Sequence, residues 1–283
     1  MMKKTLNIFW GIAAVIGLCV ASQGQTTKTP GWLRFLGDGS GLDFTCPTTT
    51  CILGDEHWYS SFTVAAGQTV VTTGANGPII IRATGTCTIA GTLSDSPNSG
   101  AGVTITGGGD FGGSGGGGGG GSAAGSGGFS TLADANLTIN AGGSGGSPGS
   151  VGGTGTAPTV EQYHLLLGGG SFWPVGGSMG GQGGNNGGAG GTGGGPIILV
   201  CNTIDFTGTI DVSGGQGGAA TASNTGGGGG GGAGYVILSA TSYTTNTGTF
   251  NVSGGAGGGC GSNSGCGAGG NGGDGWHIAL TIQ

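Results

Sequence analysis

From residue 204 to residue 212 the apolar side chains keep to even positions: Ile204, Phe206, Ile210 and Val212, with Gly208 between them. Period-two alternation puts all four on one face of an extended chain, as in a strand with one buried side. Earlier runs at 62–65, 69–73, 79–83 and 86–89 are rich in β-branched residues and are separated by Gly, Asn and Pro. Runs of that kind between turn residues predict strands. No apolar stripe recurs at helical spacing over 26–106. The pattern predicts an all-β protein of short stacked strands, β-solenoid-like or sandwich-like.

The strands recur as a unit. "PIILVCNTIDFTGTIDVSGG" (196–215) and "VILSATSYTTNTGTFNVSGG" (236–255) align without a gap at an offset of 40 residues, with Ile197 on Ile237, Gly208 on Gly248 and Ile210 on Phe250. "IIIRATGTCTIAGTL" (79–93) is a looser third copy. Self-similarity at a fixed period marks an architecture in which each unit buries its face by stacking on its neighbours.

Between the apolar units lie tracts dominated by glycine, at 107–128, 142–155, 168–195, 214–234 and 254–275. Their other residues keep phase: Ala268, Asn271 and Asp274 fall on every third position, as do Ser144, Ser147 and Ser150, Gln182 with Asn185, and Ala189 with Thr192. A flexible linker has no reason to keep phase. Three residues per turn is the repeat of the polyproline-II helix, which has no internal hydrogen bonds and must bond to neighbouring chains if it packs. The tracts are therefore expected to form polyglycine-II-type helical excursions; the alternative is disordered loops on a β scaffold. In the last of them, 254–259 runs outward, 262–264 turns and 267–275 returns. The seven-glycine runs at 115–121 and 226–232 carry no phase.

Composition narrows the functional classes. Of 283 residues 81 are glycine, yet only 6% are charged, which is too few for an ordinary disordered chain. Lys28 is the last lysine, and Arg34 and Arg82 are the only arginines, so there is no basic face for nucleic acid. Lysines at 3 and 4, an apolar stretch at 11–21 and small residues at Ala21 and Ser22 read as an export signal over 1–22. A β region over 26–106 and a glycine-rich repeat region over 107–283 are expected to follow, with no membrane span in the mature chain. Loss of the signal leaves Cys46, Cys51, Cys87, Cys201, Cys260 and Cys266, an even set that implies disulfides in an exported chain. Cys46/Cys51 and Cys260/Cys266 pair by proximity and Cys87/Cys201 by elimination. Cysteine and histidine spacings fit no metal site, and no cofactor motif stands in a supporting context.

The texture of "GGAGGTGGGP" (187–196), "GGGGGGAGYVILSA" (227–240) and "GGNGGDGWHIAL" (269–280) resembles two groups. One is the glycine-rich exported proteins with polyglycine-II bundles. The other is the glycine-rich adhesins at the tips of T-even phage long tail fibres. The resemblance covers 107–283. It implies that variable segments between glycine motifs emerge as receptor-binding loops. The export signal departs from the phage proteins and points to a secreted or cell-surface protein of a bacterium.

The segment that fits such a loop is 160–181, which gathers Tyr163, His164, Leu166, Phe172 and Trp173 between two glycine tracts. Aromatics bring large contact area at small rotamer cost, so these five are the candidate binding residues. The alternative is a plug at the bundle's edge. Asp38, Ser40 and Asp43 are spaced like the start of a calcium loop, but Thr49 stands where the closing carboxylate belongs. Asp55, Glu56 and His57 read as an exposed turn. "GGSMG" (176–180) fits the hydrolase G-x-S-x-G pattern without its strand and helix. Asn136 and Asn251 begin glycosylation sequons. With 11 acidic residues spread thinly, no catalytic residue is assigned. The expected function is a non-enzymatic exported surface protein, structural or adhesive, whose partner is a cell-surface glycan or protein receptor. Self-assembly through the edges of the glycine bundle is a further expectation. The alternative is an ice- or carbohydrate-surface binder.

Overall fold

The apolar runs at 197–201 and 235–238 are unbroken rather than alternating, as in parallel strands buried on both faces. Both form the centre of a parallel sheet. The computed structural model describes residues 41–53, 56–72, 79–96, 113–114, 129–132, 137–139, 144, 177, 180–185, 187–220, 222–260 and 265–282. These belong to one compact unit, Leu36–Gln283.

Every regular element among the described residues is a strand. In chain order they are β1 (Phe44–Thr45), β2 (Thr50–Leu53), β3 (Glu56–Tyr59), β4 (Phe62–Val64), β5 (Thr69–Thr72), β6 (Ile79–Ile89) and β7 (Thr92–Ser94). Then follow β8 (Gly113–Ser114), β9 (Phe129–Leu132), β10 (Leu137–Ile139), β11 (Ile197–Phe206), β12 (Thr209–Asp211), β13 (Tyr235–Asn246), β14 (Thr249–Asn251) and β15 (Trp276–Thr281). One parallel sheet has the order β1-β4-β6-β11-β13-β15, with β3 also beside β6. A second parallel sheet has the order β14-β12-β7-β5-β2. Strands β10-β9-β8 form a small antiparallel sheet. The expected β region and the glycine-rich region thus meet in one sheet, where β6 pairs with β11.

Parallel neighbours need a crossover, and the two sheets share its parts. A long strand of the first sheet turns a two-residue corner into a short strand of the second. The chain then leaves through a glycine tract and returns one level along. At the corners, Ala90 and Gly91 both donate to Val64 O, Thr207 and Gly208 to Ile89 O, and Thr247 and Gly248 to Phe206 O. A Cβ on Gly208 would stand 2.0 Å from Gly91 O, so the corner level accepts only glycine.

The core lies between the sheets. Its ladders are Ile79–Ile197–Val236, Ile81–Leu199–Leu238 and Ala83–Cys201–Ala240 in the first sheet, facing Val70–Leu93–Ile210–Phe250 in the second. The repeat departs from the gapless 40-residue offset. Ile198 pairs with Ile237 and Ile204 with Tyr243, an offset of 39, and from Asp205↔Thr245 onward the offset is 40. The extra residue, Thr244, is a bulge in β13. A one-residue slip exchanges the faces of a strand, so the gapless alignment sets inward Ile197 against outward-facing Ile237.

The two ends of the stack differ. At the far end β15 sets His277, Ala279 and Thr281 at the inward positions held by Val236, Leu238 and Ala240, and all three are exposed. A terminal repeat with a polar outer face is what a stacked fold needs for solubility. His277 stacks on Phe250 at 4.2 Å. The Tyr243 hydroxyl, a donor shared between Leu238 O and Leu280 O at 3.1 Å each, ties β15 to β13. Burial pushes its pKa up to about 12. At the near end the Cys46–Cys51 loop closes over the core, and Gln68 Nε2 donates to Cys46 O at 2.6 Å. The exposed large apolar residues Leu42, Ile52 and Trp58 lie at this end.

Candidate functional site

Three strands of the stack lead toward the glycine tracts through the same local device. A side-chain oxygen accepts from the backbone N–H two residues on: Ser94 Oγ from Ser96 (3.2 Å), Asp211 Oδ1 from Ser213 (2.9 Å) and Asn251 Oδ1 from Ser253 (3.5 Å). Ser and Asx side chains turn a chain in this way by standing in for a backbone carbonyl. Ser96 Oγ and Ser213 Oγ, 2.8 Å apart, link two levels.

Beyond the turns the tracts bond to one another through their backbones, at every third residue. Gly188, Gly191 and Gly194 donate to the carbonyls of Gly226, Gly229 and Gly232. Gly228, Gly231 and Gly234 donate to Gly218, Gly215 and Val212, and Gly227, Gly230 and Ala233 to Gly267, Gly270 and Gly273. Gly255 and Gly258 donate to Gly231 and Gly228, while Gly226 and Gly229 donate to Gly184 and Gly181. Tract 226–234 is thereby bonded to five others, and every one of its residues is buried. The outer tracts bond among themselves with the same period. Gly214, Gly217 and Ala220 donate to Ser253, Ala256 and Gly259, and Gly177, Gly180 and Gly183 to Gly194, Gly191 and Gly188.

In the outer tracts every third residue faces water. Gln216, Ala219 and Ala222 are exposed, as are Ser253, Ala256 and Gly259, and Asn271 and Asp274. In the last tract the two legs bond to each other, Gly269, Gly272 and Gly275 donating to Gly258, Gly255 and Val252, and Cys260–Cys266 joins them; the expected turn at 262–264 lies outside the described residues. Two of its phased side chains seal the border of the bundle. Asn271 Oδ1 accepts from Gly257 N and Asp274 Oδ1 from Gly254 N, both at 2.9 Å. Each bond is solvent-exposed and contributes about 1 kcal/mol or less. The Asn271→Ala/Asp274→Ala variant is therefore expected to stay folded, with faster amide exchange confined to Gly254 and Gly257, as read by NMR.

The predicted binding residues Tyr163, His164, Leu166, Phe172 and Trp173 lie outside the described residues. So do Asp38, Ser40 and Asp55. Asp43 is described: its carboxylate accepts from the hydroxyls of Ser61 (2.7 Å) and Ser60 (2.8 Å), which lower its pKa in that order. Glu56 and His57, expected in an exposed turn, instead open strand β3, where backbone pairing with Ile80 and Ile81 of β6 holds them extended; Glu56 pairs with Arg82, and His57 stacks on Tyr59. Gly177 and Gly180 of the G-x-S-x-G match sit in the bonded tracts. The expected disulfides Cys46–Cys51, Cys87–Cys201 and Cys260–Cys266 form. No group of three or more His, Cys, Asp or Glu among the described residues could hold a metal ion.

One surface feature escaped the sequence reading. Thr50, Thr69, Thr92, Thr209 and Thr249 pair in register across all five strands of the second sheet, on the face away from the core. The repeated Gly-Thr at 91–92, 208–209 and 248–249 was a signal for three of the five; Thr69 follows Gln68 and Thr50 follows Thr49, without it. Comparison with protein-family models, curated proteins and solved structures finds no match to this chain.

Proposed function

We propose that this chain is an exported, non-enzymatic surface protein in which a polyglycine-II bundle grows out of a short β-solenoid. The pair serves as a rigid mount for the segment at 160–175, which meets a glycan or protein receptor through Tyr163, His164, Leu166, Phe172 and Trp173. The observation that carries this reading is the ring of backbone bonds around tract 226–234. Bonds every third residue, directed to neighbours rather than along the tract, are what a three-residue helix without internal hydrogen bonds requires. A mount built that way is stiff without a large oily centre. Three disulfides support an oxidising, extracytoplasmic setting.

The test compares the mature chain with a variant lacking 160–175 in binding to bacterial cells and to arrayed glycans, with amide exchange at 226–234 as the check on folding. Binding that falls at least tenfold in a variant whose bundle stays protected is the expected result. Equal binding by both forms, or none by either, overturns the reading. An ice- or carbohydrate-surface binder is the second reading, favoured by the five-threonine ladder, since hydroxyls at the parallel-strand spacing of ~4.8 Å could template an ordered layer. Inhibition of ice recrystallisation, abolished by Thr209→Lys, would select its ice-binding form.

A further inference from the structure

The three disulfides stand in different surroundings. Cys46, Cys87 and Cys201 are buried in the apolar core; Cys51, itself half-buried, packs against that core, and its bond runs to the buried sulfur of Cys46. Cys260 and Cys266 lie outside that core, half-buried, at the far end of the 252–275 hairpin. That hairpin is held by backbone bonds and by the exposed Asn271 and Asp274 side chains. Thiol–disulfide exchange needs a thiolate to reach a sulfur, so access decides which bond is attacked first.

We propose that Cys260–Cys266 is a redox latch on the outermost glycine hairpin, opened by a small-molecule thiol under conditions that leave the other two disulfides intact. One thiolate attacks a sulfur of the pair, forming a mixed disulfide and releasing the other cysteine as a thiolate. A second thiolate attacks the mixed disulfide at the small molecule's sulfur and frees the remaining cysteine. The protein disulfide is reduced by two electrons, two small thiols become one small disulfide, and the two cysteine thiolates take up two protons. Opening removes the cross-link that clamps the legs together where the chain turns between them. What the latch controls is the order of 252–259 and 267–275, and through them the cover over tract 226–234, to which both legs bond.

The oxidised mature chain is titrated with glutathione, quenched by alkylation and mapped by mass spectrometry, with amide exchange followed in parallel. Cys260 and Cys266 are expected to be alkylated while Cys46, Cys51, Cys87 and Cys201 stay paired. Exchange at Gly255, Gly258, Gly269 and Gly272 should rise roughly 10–100-fold, from the lost loop constraint, with strand β11 unmoved. Reoxidation should restore it, and the Cys260→Ser/Cys266→Ser variant should match the reduced state. Opening of either other pair at equal or lower thiol concentration overturns the latch, as does hairpin exchange that does not respond to reduction.

Discussion

Gly231→Ala is expected to break up the glycine bundle, although it adds a single methyl group. The new Cβ would stand 2.0 Å from Thr192 O, 2.5 Å from Thr192 C and 2.9 Å from Gly191 O. All three are backbone atoms of tract 187–195, which is itself fixed by bonds from Gly191 to Gly229 and from Gly194 to Gly232. No rotamer relieves such an overlap; tracts must separate. Separation loosens the bond from Gly231 N to Gly215 O and the bond from Gly255 N to Gly231 O. Overpacking of about 1–3 kcal/mol, plus about 1 kcal/mol for each backbone bond lost, puts the total at roughly 3–5 kcal/mol. That is a large share of the stability of an ordinary domain. Ordering glycine backbone is costly to begin with, so the tracts have little margin. Protection against amide exchange should fall in all the tracts bonded to 226–234. Gln216→Ala, at an exposed phased position, should change stability by less than about 0.5 kcal/mol. A Gly231→Ala protein with wild-type exchange over 226–234 would show that the close approach is not what holds the tracts.

The same geometry explains why some tracts could be read from the sequence and others could not. In 252–259 and 267–275 one residue in three faces water, so Ala256, Asn271 and Asp274 carry side chains and leave a visible phase. Tract 226–234 has neighbours on so many sides that no position is free to carry a large side chain, and its seven-glycine run looks featureless for that reason. The bulge at Thr244 was hidden because the runs before it are apolar at both odd and even positions, and a slip of one leaves the hydrophobic pattern unchanged. In β15 the alternation of Trp276, Ile278 and Leu280 with His277, Ala279 and Thr281 was legible, but its sense was not. The small and polar set lies on the core side, because the stack stops there. The pairing of Cys87 with Cys201 followed only by elimination, since nothing in the intervening sequence shows that β6 and β11 become neighbours.

Replacing both Cys87 and Cys201 by alanine is expected to be the most damaging change outside the bundle. The bond joins β6 to β11, adjacent strands whose cysteines are 114 residues apart in sequence. Elsewhere in this part of the stack, successive levels are connected by the short excursions 212–234 and 252–275. Between β7 and β11 the chain makes its longest excursion, 95–196. Loop closure costs more the longer the loop, so the covalent tie sits where spontaneous pairing of neighbouring levels is least favourable. For a loop of this length the constraint on the unfolded chain is worth about 4–5 kcal/mol, against roughly 2 kcal/mol for the short loops at 46–51 and 260–266. The double alanine variant leaves no free thiol at either position and removes two sulfurs from the core, where both cysteines are fully buried. A fall in melting temperature of roughly 10–20 °C is expected by circular dichroism. Exchange should rise first in β6 and β11 and later in β13 and β15, which stack on the far side of the break. A variant that melts within a few degrees of the wild type would mean that pairing of β6 with β11 persists in the unfolded chain without the bond, so that the long excursion is already closed before the stack forms.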